Sequence, residues 1–483
     1  MRELVFVCGL EGSEADHADA LEALVLEVID NVARDGVDED RLQAVLHQLE
    51  LHQREISGDS YPYGLQLILQ ALGCATHYAD PIAVLDLEPV IEKLRQRIRD
   101  PQYIRDLARR LLLENTHRVS LVMTPDKTLS SRRLAAEKER LALIKQAMND
   151  EQRQAAVKLA ADLALRQQQV DDESVLPKVV LADVPAEIPD LDFTENDYCG
   201  LRVTTYGQGT NGLVYQQLVA PLPHLDDARL GTLPLYTNFL TELGLGNDSY
   251  LQVQHRQSAC VGAINAYSSM RGRIDDEQAV SANFVLSSKA LQRNAGDQAQ
   301  LMHDTLSSVR FDETDRMREL VSQQRARREQ AVTGNGHGLA MAAACAGMSP
   351  MANMNHRLSG LEGLRQLKRL DESLADTDAA RAFATGLQEL HNLVVGMPRQ
   401  LLVIAEDQHV EEIAAIAAKT VASDGGGTAE GFQCETVREQ RAQLWLANTQ
   451  VNFCARAYPT VPAVSYTHLT LPTTGSWCIY GWA

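Results

Sequence analysis

The residues of this sequence best suited to metal chemistry are two histidines and a glutamate in the string HQLELH, at His47, Glu50 and His52. Zinc peptidases carry HExxH or HxxEH, in which two histidines one helical turn apart both reach the metal. Here the histidines are five residues apart, which places them about 140° apart around a helix. We therefore predict that they are polar positions beside a stripe of leucines and do not share a zinc ion.

Other catalytic motifs are missing from the sequence, which contains no HExxH, HxxEH, GxSxG or GxxxxGK[ST] string. The glycine-rich string GNGHG at 334–338 follows a helical, arginine-rich stretch, which favours a turn between helices over a phosphate cradle. The eight cysteines form no CxxC pair. The residues by themselves thus predict no catalytic, cofactor-binding or metal-binding side chain.

Three arginines, Arg325, Arg327 and Arg328, stand near the end of a helix that is predicted to begin near Asp312. Cations in the last turn of a helix complement the helix dipole. We favour this interpretation over an anion-binding site, which the same residues could also form.

The composition bounds the class of protein. The length of 483 residues suggests roughly two to four domains. The net charge of −20 argues against a nucleic-acid partner. Acidity keeps a soluble protein dispersed and can also attract cationic peptides. No window has the ~18 uninterrupted apolar residues of a membrane span, and MRELVFVCGLEGSEAD lacks the pattern of a signal peptide. Isolated cysteines are typical of a reducing compartment, so we predict the bacterial cytoplasm.

The first 190 residues contain a mixed α and β segment followed by a helical one. Apolar runs at 3–8 and 117–126 predict strands, with helices between them. Residues 128–168 lack glycine and proline and are divided by Asn149-Asp150, which predicts two antiparallel helices. A polar, proline-containing linker follows at 169–190.

A second α/β segment begins near residue 191. The β-rich runs at 199–207 and 211–222 are separated by Gln208-Gly209-Thr210, which predicts a hairpin. Residues 289–395 have an almost wholly helical pattern. Further strands of this segment are predicted at 258–270, 279–288 and 399–405.

Several strings, in this order, resemble the insulinase/pitrilysin family of metallopeptidases in its presequence-protease branch. They are AVLHQLELH (44–52), NTHRVSLVMTPD (115–126), GTNGLVY (209–215), LPLYTNFLTELG (233–244), INAYSSMRG (264–272), RFDETDRMREL (310–320) and LSGLEGLRQLKRL (358–370). The order and spacing of these strings carry the resemblance, which covers residues 1–463.

The resemblance implies an α/β fold, with α+β sandwich domains of helices packed on mainly antiparallel sheets and joined by a helical hairpin hinge. The implied parts are the C-terminal part of a second peptidase-like domain (1–126), the hinge and linker (127–190), a third, non-catalytic peptidase-like domain (191–422) and the start of a fourth domain (432–463). The family's HxxEH motif belongs to a first domain that has no counterpart here, so no catalytic or metal residue is carried over. LPLYTNFLTELG stands where a related domain would carry its zinc helix, and it contains no pair of histidines.

The resemblance also implies a function for the intact parent, a zinc metalloendopeptidase that degrades short unstructured peptides such as presequences. We expect this chain to supply chamber wall and hinge, to bind no zinc, and to be inactive without the missing N-terminal catalytic half. Peptide substrates are implied, but neither nucleic acid nor a membrane. The alternative is a stable non-catalytic homologue that binds peptides or scaffolds a complex. A start inside one domain and a stop inside another favour the truncated enzyme.

The last residues differ from the rest of the chain. SYTHLTLPTTGSWCIYGWA has no Asp, Glu, Lys or Arg and holds two of the three tryptophans. Its first part resembles translated sequencing-adapter sequence, so we interpret 464–483 as an artefactual tail.

Deleting residues 464–483 is expected to leave the Tm unchanged, because a foreign segment packs against nothing specific. In a native tail, Trp477 and Trp482 would be core material, and their loss would cost roughly 3–5 kcal/mol. Calorimetry of the full and shortened chains measures the difference. A drop in Tm of several degrees would show that the tail is native.

Overall fold

The computed structural model describes residues 5–56, 62–170, 172–178, 180–183, 187, 190–422, 430–447 and 451–459. The chain divides into two compact units. The first unit contains residues 37–99 and the chain from 191 onward, and the second unit contains residues 2–36 and 100–190. The tail at 464–483 lies outside the described residues.

Helices and strands are numbered along the whole chain. The helices are α1 (Ala18–Asp35), α2 (Glu39–Arg54), α3 (Tyr63–Ala75), α4 (Glu88–Arg97), α5 (Pro101–Ala108), α6 (Leu129–Ala147), α7 (Asp150–Gln168), α8 (Asp227–Phe239), α9 (Tyr250–Cys260), α10 (Ala295–Ser307), α11 (Thr314–Gly334), α12 (Gly336–Cys345), α13 (Pro350–Leu358), α14 (Leu361–Ser373), α15 (Thr377–Val395) and α16 (Val410–Val421). The strands are β1 (Thr194–Tyr198), β2 (Leu201–Gly207), β3 (Leu213–Pro221), β4 (Ala263–Gly272), β5 (Val280–Leu291) and β6 (Gln400–Ala405). As predicted, GNGHG lies at a turn between two helices, α11 and α12.

In the second unit, α1 packs against α5 and the π-helical turn that follows α5. Two arginines satisfy carbonyls at the C-terminal end of α1, which otherwise lack helical donors. The Arg105 Nη2 atom donates to the carbonyl of Asp35 over 2.9 Å, and Arg109 Nη2 donates to that of Ala33 over 3.3 Å. Gly36 ends α1 with a φ of +84°, a conformation that glycine adopts without strain.

The predicted break at Asn149-Asp150 is confirmed, since α6 ends at Ala147 and α7 begins at Asp150. Asn149 and Gln152 form a capping box, in which the Gln152 amide donates to Asn149 Oδ1 over 2.8 Å and the Asn149 amide donates to Gln152 Oε1 over 3.1 Å. All side chains of both helices are exposed, including their leucines. Their helical form therefore depends on local propensity and capping.

The prediction of strands at 3–8 and 117–126 is wrong for the residues that are described. Residues 5–8 and 117–126 are irregular, and Val119, Leu121 and Met123 are 84%, 78% and 85% exposed. A strand requires a neighbour for its main-chain donors and acceptors. Neither segment meets such a neighbour among the described residues, because the six-stranded sheet is built entirely from residues 194–405.

The sheet of the first unit has the strand order β1-β2-β6-β3-β5-β4, and only the β2–β6 pair is parallel. The predicted hairpin between 199–207 and 211–222 is wrong, because β6 lies between β2 and β3. The hairpin instead joins β1 to β2 through Cys199 and Gly200, whose φ angles of +55° and +78° match a two-residue turn of this kind. The predicted strand at 258–270 begins only at Ala263, since α9 continues to Cys260.

The two faces of the sheet differ in how deeply their side chains are buried. Alternate positions in register, such as Val203, Leu401, Leu218 and Leu286, are buried in one continuous core. Helices α8, α10 and α16 pack against the sheet in this core. Most intervening positions are half-buried or exposed, as the period of two of a strand requires when one face is packed less completely. Leu213 and Leu291 are exceptions, because they pack against Leu51 of α2.

The described residues from 430 onward run across the first unit without a further helix or extended strand. The Val437 amide donates to Gln278 Oε1 over 2.8 Å, and the Glu439 amide donates to the Gly347 carbonyl over 2.9 Å. The start of a fourth domain predicted at 432–463 stays a prediction. Within the described part of the chain, no helix combines the length and apolar character needed to span a bilayer.

Candidate functional site

Helix α2 carries the three residues that the sequence offers for metal chemistry. His47 and Glu50 are buried, with 6% and 5% of their surface exposed, whereas His52 is exposed on another side of the helix. The five-residue spacing requires this separation. The two imidazoles therefore do not converge on a common position.

The buried side of α2 packs against α9 and the turn that follows it. Gln48 Nε2 donates to the carbonyls of Ser258 and Val261 over 2.7 and 2.8 Å, which satisfies acceptors at the end of α9. Leu51 lies against Gly262, where a Cβ atom would approach the leucine side chain to 3.0 Å. A side chain at residue 262 would push α2 away from α9.

The carboxylate of Glu50 is held by three arginines. Arg293 binds both oxygens, with Nη1–Oε1 and Nη2–Oε2 distances of 3.1 and 2.7 Å. Arg54 Nε donates to Oε1 over 3.1 Å, and Arg95 Nη2 makes a short contact with Oε2. We name these four residues the Glu50 cluster. It ties α2 to α4 and to the chain directly after β5.

Burial alone would raise the pKa of Glu50, but the hydrogen bonds and charge of Arg293, together with the charges of Arg95 and Arg54, lower it to about 2. Burial, followed by the charge of Arg293, lowers the pKa of His47, whose ring lies against the carbonyl of Cys260. A general base or metal ligand needs a free lone pair, and the Glu50 oxygens are occupied by guanidinium donors. This cluster is therefore structural.

The same cluster does not fit zinc. A zinc ion needs about four converging ligands, and here a cation would meet three guanidinium groups around one carboxylate. Nor do three His, Cys, Asp or Glu side chains come together at any other metal-sized site in the described ranges.

Helix α8 contains the string LPLYTNFLTELG up to Phe239, and its polar side chain Tyr236 is completely buried. The hydroxyl of Tyr236 lies 3.1 Å from Nδ1 of His391, and Nε2 of His391 lies 3.0 Å from the carbonyl of Leu306. A carbonyl only accepts, so Nε2 carries the proton and Nδ1 accepts from the tyrosine. The neutral ring is thus fully satisfied, and burial lowers the pKa of His391 to about 4.

Sequence reasoning missed both arrangements. Arg293 lies 243 positions after Glu50, and His391 lies 155 positions after Tyr236. No local spacing connects such residues. The one sequence signal was a glutamate on an otherwise leucine-rich helix face, which indicates a buried charge that needs partners.

Comparison with known proteins places this geometry in context. The family model for the region associated with M16 peptidases of subfamily C matches residues 123–370. The mitochondrial presequence protease of Danio rerio is 26% identical over 392 residues, which are 81% of this chain and 38% of that protein. Presequence protease 1, chloroplastic/mitochondrial, of Arabidopsis thaliana is 28% identical over 378 residues, 76% of this chain and 35% of that protein. This chain thus spans little more than a third of the length of these curated relatives.

Among solved structures, the periplasmic protease PqqL from Escherichia coli aligns with 87% of this chain and 42% of its own, at 13% identity and a TM-score of 0.32.

Replacing Glu50 with Gln is expected to lower the free energy of unfolding by about 3 kcal/mol at pH 7, because arginines lose a buried carboxylate. The folded pKa lies below the ordinary value of 4.5, so the contribution is complete above about pH 5 and declines as the pH falls towards 2. Urea unfolding at several pH values measures the free energy of unfolding of the wild type and the variant. The difference between them should narrow by roughly 1 kcal/mol between pH 6 and pH 3.5.

Glu92→Gln is the matched control for this measurement, since Glu92 also pairs with Arg95 but is 54% exposed. Its effect should be well below that of Glu50→Gln. A gap that is independent of pH would contradict the ion-pair assignment.

Replacing His391 with Gln should flatten the pH dependence of stability on the acid side of neutrality. The folded pKa of about 4 lies below the ordinary 6.5, so the neutral ring contributes fully above about pH 6.5 and its contribution is lost as the pH falls towards 4. Between pH 7 and pH 5, we expect the free energy of unfolding to fall by roughly 2 kcal/mol more for the wild type than for the variant. Urea unfolding at both pH values tests this, and the exposed His255→Gln variant should behave like wild type.

Proposed function

The chain belongs to the peptidase-associated family of M16 subfamily C, and from that premise we propose that it is the non-catalytic wall and hinge section of a zinc metalloendopeptidase that degrades short unstructured peptides such as presequences. Mitochondrial and chloroplastic presequence proteases match three quarters or more of the chain. In this proposal, residues 191–422 form the wall, 127–190 the hinge, 1–126 part of a second domain, and 432–463 the start of a fourth.

The observation that carries the proposal is the contrast between the two faces of the sheet. One face is sealed by helices, and the other presents half-buried side chains of mixed type. Those side chains include Tyr206, Gln217, Leu402 and Ile404, whereas Tyr215 on the same face packs against Leu51 of α2. Tyrosine, aliphatic and amide groups offer apolar contact and hydrogen bonds without demanding one sequence, which suits a wall that meets many unfolded peptides.

No step of peptide cleavage is assigned to this chain. Zinc, when bound in an enzyme of this kind, supplies an activated water for attack on the peptide bond. The residues of the Glu50 cluster do not fit it, so in the proposal the metal and its ligands belong to the missing N-terminal catalytic half. That half is the proposed protein partner, and peptides are the proposed substrates.

The seven described cysteines are free thiols. Unpaired cysteines favour a reducing compartment, and the bacterial cytoplasm stays our prediction for the location of the parent enzyme.

Purified protein is expected neither to bind zinc stoichiometrically nor to cleave a fluorogenic unstructured peptide. The reason is that Glu50 is occupied by arginines and that His47 and His52 lie on different sides of α2. Zinc content by atomic emission and peptide turnover by fluorescence are the measurements.

One equivalent of zinc that is lost on His47→Ala would overturn this assignment. Tight retention of a labelled unstructured peptide with an amidated C-terminus, without cleavage, would instead favour the alternative, a stable non-catalytic peptide-binding or scaffold homologue.

A further inference from the structure

Helices α8, α11, α13, α14 and α15 line a cavity of about 420 Å³ that is open to solvent on one side, in the first unit. Its lining combines apolar side chains, such as Leu235, Leu367 and Phe383, with polar ones, among them Asp227 and Gln366. This volume lies within the range of small-molecule sites, roughly 300–1,000 Å³. The Glu50 cluster and the Tyr236–His391 pair contribute no residue to the lining.

Arg328 lines this cavity, and the structure corrects the interpretation of its helix. Helix α11 continues to Gly334, so Arg325, Arg327 and Arg328 do not occupy its last turn. The helix dipole therefore does not account for Arg328. The alternative, an anion site, becomes relevant again for this residue.

The surroundings of Arg328 differ from those of its neighbours. Arg325 pairs with Asp371 over 2.9 Å, and Arg357 at the cavity rim pairs with Asp227 over 3.0 Å. Arg328 Nη1 donates to the carbonyl of Leu358 over 2.9 Å, at the end of α13. Within the described ranges, no carboxylate stands within ion-pair distance of Arg328, and burial lowers the pKa of its guanidinium.

A guanidinium group offers five N–H donors in a planar fork, and the bond to Leu358 uses one of them. Arg328 is half-buried and has no counter-charge, so its charge is partly removed from water without compensation. A carboxylate that enters the cavity would pair with the remaining donors. Leu235, Leu367 and Phe383 would then cover an apolar body attached to that carboxylate.

We propose that this cavity binds a carboxylate carried on an apolar body, with Arg328 as the anion-binding residue. Two sources present this chemistry, the free C-terminus of a short apolar peptide and a medium-chain free acid. The peptide source rests on the proposed function, since a peptidase chamber contains peptides with free C-termini. The carboxylate chemistry itself does not depend on it.

Gly231 offers a way to block the cavity without touching the charge. It lies on α8, and a Cβ atom there would lie 3.7 Å from Gln366 Oε1, an ordinary contact. A leucine at this position would extend into the open volume, and leucine is also a better helix former than glycine.

The test uses the full chain and three probes measured by fluorescence or calorimetry. The probes are a dansylated Ala-Leu-Leu peptide with a free carboxylate, the same peptide as its C-terminal amide, and decanoate. We expect the free-acid peptide to bind at least tenfold more tightly than the amide. Arg328→Gln should abolish that preference, whereas Arg328→Lys should keep part of it. Gly231→Leu should weaken the binding of both peptides.

Arg327→Gln is the matched control, because Arg327 is exposed on the same helix. This variant should leave the affinities for all three probes unchanged. Binding of decanoate alone would support the carboxylate site and assign it to free acids. Equal affinity for acid and amide, a preference that survives Arg328→Gln, or no binding of any probe would overturn the proposal. The zinc and cleavage measurements do not depend on this cavity, so the two proposals can fail separately.

Discussion

The first unit depends on the placement of one strand. β6 lies in the middle of the sheet, parallel to β2 on one side and antiparallel to β3 on the other. It joins the β1–β2 hairpin to the β3-β5-β4 group. Without β6, β2 and β3 would each present an unpaired edge. Leu401, Val403 and Ala405 on β6 are buried in the same core as α8, α10 and α16. Burial of these side chains therefore requires the strand to arrive from the far end of the helical region.

That constraint explains which parts of the fold the sequence predicts. Helices are local, and the two helices predicted on either side of Asn149-Asp150 match α6 and α7. Strand pairing is not local. Gln208-Gly209-Thr210 has the composition of a hairpin turn, but nothing in these residues reveals that a strand from residue 400 pairs with β2. β1 was missed because TENDY is polar and lies at the sheet edge, where four of its five residues are exposed.

The strands expected at 3–8 and 117–126 illustrate the opposite case. Their apolar composition is suited to a sheet, yet their described residues remain irregular and exposed. Composition indicates what a segment is able to form, whereas a strand also needs a neighbour. The candidate site follows the same logic. The spacing of His47 and His52 was sufficient to predict that they lie on different sides of one helix, but no pattern in the sequence links Glu50 to Arg95 and Arg293.

The Glu50–Arg293 ion pair joins two pieces of the first unit that are distant in sequence. Residues 37–99 and the chain from 191 onward form one compact body, although residues 100–190 belong to the other unit. The body is thus an assembly of two polypeptide pieces, held by contacts such as Glu50–Arg293, Gln48–Val261 and Asn211–Arg54. The intervening residues act on it as a tether, which sets the effective concentration at which the two pieces meet. In this sense the unit is a split protein whose halves are supplied already linked.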